Sequence, residues 1–116
     1  MNNITSPATD DSAIEREIKS KGLTAPRVTP QDIEANIAAE YCFTAAQATQ
    51  GCPQHESLGL LTLCVIVLKN GFTVTGESAC ASPENFNAEI GQKIARENAK
   101  QKMWPLMGYA LRERLK

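Results

Sequence analysis

The ten-residue run LLTLCVIVLK, from Leu60 to Lys69, constrains this chain more than any other segment. It is aliphatic and β-branched, too short for a buried helix, and it meets Asn70-Gly71 and a second extended run, FTVTGESA. Two such runs around Asn-Gly predict a β-hairpin. A two-residue loop places Lys69 opposite Phe72, Val67 opposite Val74, Val65 opposite Gly76 and Leu63 opposite Ser78. One face then collects Leu63, Val65, Val67, Phe72 and Val74 as core. The other sets Cys64, Ile66 and Leu68 against Thr73, Thr75 and Glu77, a mixed face suited to a subunit contact, a ligand or a second layer made by the N-terminal helix.

Ser82-Pro83-Glu84-Asn85 reads as a capped helix start. The helix it opens runs to about Lys102, with Phe86, Ile90 and Ile94 at four-residue spacing and Trp104 completing the stripe. Lys93, Arg96 and Lys100 form a separate basic stripe, and Gly91 and Ala95 a smooth strip open to another helix. Trp104-Pro105 predicts a break, because the residue before a proline is pushed out of the helical region, followed by a last helix through Leu106, Tyr109, Ala110, Leu111 and Leu115. Upstream, Thr29-Pro30-Gln31-Asp32 starts a helix expected to reach about Glu40, with Ile33 and Ile37 on one face. Tyr41 to Thr44 suits a short edge strand, and Gln50 to Leu58 a loop. Ahead of these, a short helix is expected from Ala13 to Lys21, ended by Gly22, after a disordered arm of about twelve residues. The reading is α+β: an N-terminal helix, a small antiparallel sheet with an Asn-Gly hairpin, and two C-terminal helices. Residues 1–27 are expected as a mostly disordered arm with a short helix, and 28–116 as a single α+β domain.

A chain of 116 residues has a small core, so self-association is a natural way to hide leftover apolar area. The net charge is -1, but residues 1–58 carry four Lys/Arg against eight Asp/Glu and residues 59–116 carry eight against five. From Lys93 onward seven basic residues face only Glu97 and Glu113, so the C-terminal helices could meet an anion. The acidic first half disfavours nucleic acid. Cys42, Cys52, Cys64 and Cys80 follow no signal peptide and are expected as reduced thiols, Cys64 as a small buried hydrophobe. No apolar run approaches the roughly 20 residues that span a bilayer, so a location in the cytoplasm is expected. No nucleophile elbow, phosphate loop or dinucleotide fingerprint occurs, and Cys52-Pro-Gln-His55 lacks a second close ligand pair. Neither an enzyme nor a metal or cofactor site is expected.

Four residues stand out as ligand-binding candidates. Arg112 and Arg114 offer rigid forks for an anion, or else satisfy the last carbonyls of the final helix. Asn98 could recognise a base or ribose, or bond to the backbone of an adjoining helix, and Tyr109 could stack or pack.

The stretch from Leu68 to Leu111 resembles a family of small tailed-bacteriophage proteins of long-unassigned function. The residues that carry the resemblance are the Asn70-Gly71-Phe72 turn, Gly76-Glu77-Ser78, the Pro83/Asn85-Phe86 helix start, Ile90-Gly91, Ala95, Asn98-Ala99, and Trp104-Pro105 before Gly108-Tyr109. The upstream Thr29-Pro30 helix and Phe43-Thr44 also fit, so the resemblance covers about residues 28 to 115. It implies a phage origin. The layout also looks like the phage Thoeris anti-defence sponges, which bind cyclic nucleotide signals between protomers. That likeness implies a non-enzymatic protein acting in the host cytoplasm, a homo-oligomer, and an anionic nucleotide held by Asn98, Arg112 and the aromatic Phe86, with Arg114 and Tyr109 as further candidates from their own chemistry. The alternative is a protein-interaction module that inhibits a host protein through the mixed hairpin face.

Overall fold

The computed structural model describes residues 11–116. In chain order they form α1 (Asp11–Ser20), α2 (Pro30–Ala35), β1 (Ile37–Thr44), α3 (Ala45–Ala48), β2 (Leu61–Leu68), β3 (Thr73–Ala79) and α4 (Ala88–Leu115), with 3-10 turns at Glu56–Leu60 and Pro83–Asn85. The strands make one antiparallel sheet in the order β1-β2-β3, and α4 lies across one of its faces. This is an α+β fold. Of the expected disordered arm, residues 1–10 lie outside the described residues, while Asp11 and Ser12 open α1.

The N-terminal signals act as expected, with one override. Thr29 caps α2 in a reciprocal box, its Oγ1 accepting from Asp32 N–H while Asp32 Oδ2 accepts from Thr29 N–H. The helix does not reach Glu40. It ends at Asn36, and Ile37 to Glu40 pair with β2 as the first half of β1. The alanines at 38 and 39 favour helix locally, but pairing against the most strand-forming segment of the chain outweighs a few tenths of a kcal/mol of propensity per residue. Ile33, left on the short helix, is 1% exposed and plugs the core.

The hairpin forms one residue out of the expected register. Leu68 N–H donates to Phe72 O at 2.8 Å and Gly71 N–H to Leu68 O at 2.8 Å, so Leu68 and Phe72 close a three-residue loop. Gly71 takes φ +90, the left-handed turn position that a glycine fills without Cβ strain. Ile66 therefore faces Val74 and Cys64 faces Gly76. A slip of one residue exchanges the faces of a strand. The core face carries Thr62, Cys64, Ile66, Leu68, Val74 and Ser78, whereas Leu63, Val65 and Val67 are only half-buried on the far side and Phe72 is 56% exposed. β2 is apolar on both faces, so its composition could not decide which one turned inward.

Helix α4 departs from expectation in three ways. Ser82 makes no side-chain cap; Asn87 caps instead, its Oδ1 accepting from Ile90 N–H at 3.0 Å, so the helix begins five residues late. Pro105 does not break it. One helix of 28 residues runs from Ala88 to Leu115, where two were expected. The proline removes one hydrogen bond, to the carbonyl of the exposed Gln101, and buried Met103 with half-buried Trp104 and Met107 holds the chain to the core on both sides. The buried stripe is Gly91, Ala95, Ala99 and Met103, not Phe86, Ile90 and Ile94; Ile90 is 48% exposed. The smooth strip meets the sheet rather than another helix.

The reason is contact between backbones. A methyl group built on Gly76 would overlap the Ala95 carbonyl oxygen and the Ala99 amide nitrogen, and one on Gly91 would lie 2.8 Å from Thr62 Oγ1. Large side chains on that stripe would lift the helix off β3, so they flank it instead. Gly76→Ala should cost about 2 kcal/mol or more, since neither backbone can yield alone. Gly59→Ala, with nothing within 4 Å, should stay within about 0.5 kcal/mol. Urea unfolding of the two variants checks the contrast; equal stabilities would contradict the close packing.

Candidate functional site

Beyond Met103 no residue of α4 is fully buried, and its last turns run past the sheet with Leu106, Tyr109 and Leu115 at 39%, 70% and 51% exposure. Between this end of the helix, the segment Arg27-Val28, α2 and the hairpin loop lies an open groove of about 660 Å³. Val28, Met107 and Leu111 supply its apolar lining; Lys69, Arg114, Arg27, Asn36 and Asn70 supply donors. The loop and α2 are fastened together, because Lys69 N–H donates to Asn36 O at 3.0 Å and to Asn36 Oδ1 at 3.3 Å. Asn70 Oδ1 accepts from Phe72 N–H at 2.9 Å. Both carboxamides spend their oxygens on backbone, which leaves their amino groups as donors. Arg27 is already held, making two hydrogen bonds to Glu15 of α1 at 2.6 and 2.7 Å. That pairing keeps the Glu15 carboxyl below its ordinary range.

The residues singled out from sequence do not converge within one protomer. Arg114 lines the groove. Arg112 and Tyr109 are exposed on the same stretch of helix, and neither Arg112 nor Arg114 makes an ion pair among the described residues. Phe86 is half-buried, just before the Asn87 cap. Asn98 donates its Nδ2–H to Glu77 O at 2.8 Å. It bonds to a strand, where an adjoining helix had been the structural expectation. Ala88 and Arg112 are separated by about 36 Å of helix. Sequence reasoning missed Lys69, Asn36 and Arg27, whose only signal was proximity to turns and helix ends that the fold later joined.

Much of the expected basic stripe is consumed inside the molecule. Arg96 binds Glu40 of β1 at 2.6 Å and Glu34 of α2 at 3.0 Å, and Lys100 binds Glu34 at 2.6 Å and Glu97 at 3.2 Å. Hydrogen bonds from Arg96 and then Lys100 hold the Glu34 carboxyl below its ordinary value, while the Arg96 guanidinium is raised, first by Glu40. Burial would lower the Lys100 ammonium, but Glu34 and Glu97 outweigh it and the net shift is upward. His55 is spent as a cap, Nδ1 accepting from Ser57 N–H at 3.1 Å. No cluster of three or more His, Cys, Asp or Glu suited to a metal occurs among the described residues, and none of their helices is long and apolar enough to cross a membrane.

A carboxylate with a depressed pKa contributes stability above its unfolded value near 4.5 and loses it as pH falls through the folded value. Glu34→Gln should therefore lower the melting temperature at pH 7 and have little effect at pH 2.5. Thermal melts of both proteins at the two pH values check this; a deficit that persists at low pH would contradict the assignment.

No curated protein and no solved structure matches the chain significantly. One family profile does, across residues 28–115. That span contains the whole sheet, α2, α4 and every groove-lining residue except Arg27. The chain belongs to the phage protein (N4 Gp49/phage Sf6 gene 66) family.

Proposed function

We propose that this phage protein is a non-enzymatic accessory factor that sequesters an anionic, cyclic nucleotide signal of host immunity between protomers. The observation that carries the reading is the overhanging end of α4, where Arg112 and Arg114 make no ion pair among the described residues and stand beside exposed Leu106, Tyr109 and Leu115. Exposed aliphatic and aromatic residues on an otherwise charged helix end are suited to burial by a second copy. A two-fold pair of α4 helices lying antiparallel sets the Phe86 and Asn98 end of one beside the arginine end of the other. Such an arrangement spans the separation along one helix. Each guanidinium then offers a charge-assisted fork to phosphate, and Phe86 or Tyr109 a stacking face. Binding alone lowers free ligand, so no catalytic group is required. The likeness to Thoeris anti-defence sponges stands as part of this proposal.

Light scattering over a dilution series should report a dimer or larger species. Calorimetric titration with a panel of cyclic nucleotides should give binding that Arg112→Ala weakens about 10- to 100-fold through loss of a charge-assisted hydrogen bond. Heating the complex should release the nucleotide intact. A monomer that binds nothing in the panel would sink the proposal; release of a converted product would make the protein an enzyme.

A second reading rests on the outer face of the sheet. Leu63, Val65 and Val67 sit there half-buried with Phe43 and with Tyr41, which is 59% exposed, on the face away from α4. This face, and not the one carrying Ile66 and Leu68, would be the docking surface of a module that inhibits a host protein. Val65→Glu should then abolish capture of that protein while shifting the melting temperature little. Capture at wild-type levels by the variant would remove this reading.

A further inference from the structure

The structure places two thiols side by side on the sheet face beneath α4. Cys42 of β1 and Cys64 of β2 are direct cross-strand partners. The hydrogen-bonding pattern fixes what kind of pair they form. Leu68 N–H bonds to Phe72 O and Cys80 N–H to Leu60 O, so the even-numbered positions of β2 turn their backbone groups toward β3. The odd-numbered positions turn toward β1, as Lys69 N–H bonding to Asn36 O also shows. Cys64 and Cys42 therefore form a non-hydrogen-bonded pair, the kind with closer side chains and Cα atoms about 4.5 Å apart. Disulfides accept Cα separations of roughly 4.4 to 6.8 Å. Direct opposition on one face meets that need with little backbone movement.

We propose that Cys42 and Cys64 are an oxidisable pair that closes into a disulfide stapling the edge strand β1 to the central strand β2. The two thiols have unequal access. Cys64 is fully buried, and desolvation followed by its hydrogen bond with Cys42 pushes its thiol up to about 12. Cys42 is half-buried and is the sulfur a solvent-borne oxidant meets first. With a small disulfide such as oxidised glutathione, the Cys42 thiolate attacks one sulfur, the glutathione S–S bond breaks, and one glutathione thiolate leaves and takes up a proton. Cys64 then loses its proton and attacks the Cys42 sulfur, expelling the second glutathione. The protein dithiol is oxidised by two electrons and one glutathione disulfide is reduced to two thiols. The raised Cys64 thiol makes the second step slow, so a mixed disulfide on Cys42 should accumulate before the staple closes.

The test uses the full chain carrying Cys52→Ser, which removes the exposed thiol. After incubation with oxidised glutathione, mass spectrometry of an unreduced digest should show a transient adduct on Cys42 and then a Cys42–Cys64 bridge, the intact chain lighter by two hydrogens. Because the bridge closes a loop of about 20 residues, the melting temperature should rise by about 5 °C or more and return on reduction. Cys64→Ala should hold the Cys42 adduct permanently. If that core variant does not fold, Cys42→Ser serves instead, and its Cys64 should stay unmodified in the native state. A Cys42 adduct that never resolves in the parent chain, a bridge to Cys80, or a bridge that leaves the melting temperature unchanged would each overturn the proposal.

Discussion

The fold depends on how closely α4 approaches β3. At Gly76 the strand backbone touches the helix backbone at Ala95 and Ala99, and one turn further toward the N-terminus Gly91 admits the Thr62 side chain. Dispersion and burial reward such contact only when nothing fills the gap, so the inner stripe of the helix is Gly, Ala, Ala and Met. The usual pattern of large apolar residues facing the sheet is inverted. Ile90 and Ile94 stand to the side, and the large core residues come from elsewhere: Ile33 from α2, Ile66 and Leu68 from β2, and Met103 from the last buried position of α4. The same closeness explains Asn98. In a meander, β3 is an edge strand, and Glu77, which faces Leu63, belongs to a pair that turns its backbone groups outward. Asn98 reaches from the helix to that free carbonyl and blunts the edge where another strand could add.

Electrostatics tie the remaining elements to this core. Arg96 bridges α2 and β1, and Lys100 shares Glu34, so a single helix face clasps two elements far away in sequence. These pairs are partly exposed and each contributes modestly. Their joint effect is positional: they hold the short helix α2, and with it Asn36 and the groove, against the helix that supplies Arg114. The charge asymmetry of the two halves of the chain is thus in part an internal complementarity, through Arg96 and Lys100. Among the cations that this clasp does not use, Lys69 and Arg114 line the groove, and Arg112 is exposed on the same stretch of helix.

The hairpin shows why a strong local signal can still assign the wrong face. Asn70-Gly71 announces a turn, and Gly71 does take the left-handed conformation, but the chain uses a three-residue loop. One residue of difference decides which side of β2 is core. In β3 the alternation of Thr73, Thr75 and Glu77 with Val74, Gly76 and Ser78 was readable, and Val74 lies inside as expected. In β2 no such alternation exists. Loop length and the demand for Gly76 under the helix made the choice, and the apolar surplus of β2 was left facing outward on Leu63, Val65 and Val67. That surplus keeps an interaction surface open on a chain whose other sheet face is complete.

By itself the sequence determined the α+β class, the α2 cap at Thr29, the hairpin and its turn glycine, and a C-terminal helical region, because each is written in neighbours a few residues apart. The candidate site was legible only as chemistry: Arg112, Arg114 and Tyr109 could be named, but not what stood near them. Tertiary structure decided the rest. It stopped α2 at Asn36 by recruiting Ile37 to Glu40 into the sheet, carried α4 through Pro105 because packing held both flanks, and brought Lys69, Asn36 and Arg114 around one groove. It also set Cys42 across from Cys64. These outcomes turn on contacts between segments tens of residues apart, where the free energy of pairing and close packing exceeds any local preference, and no short window of sequence contains both partners.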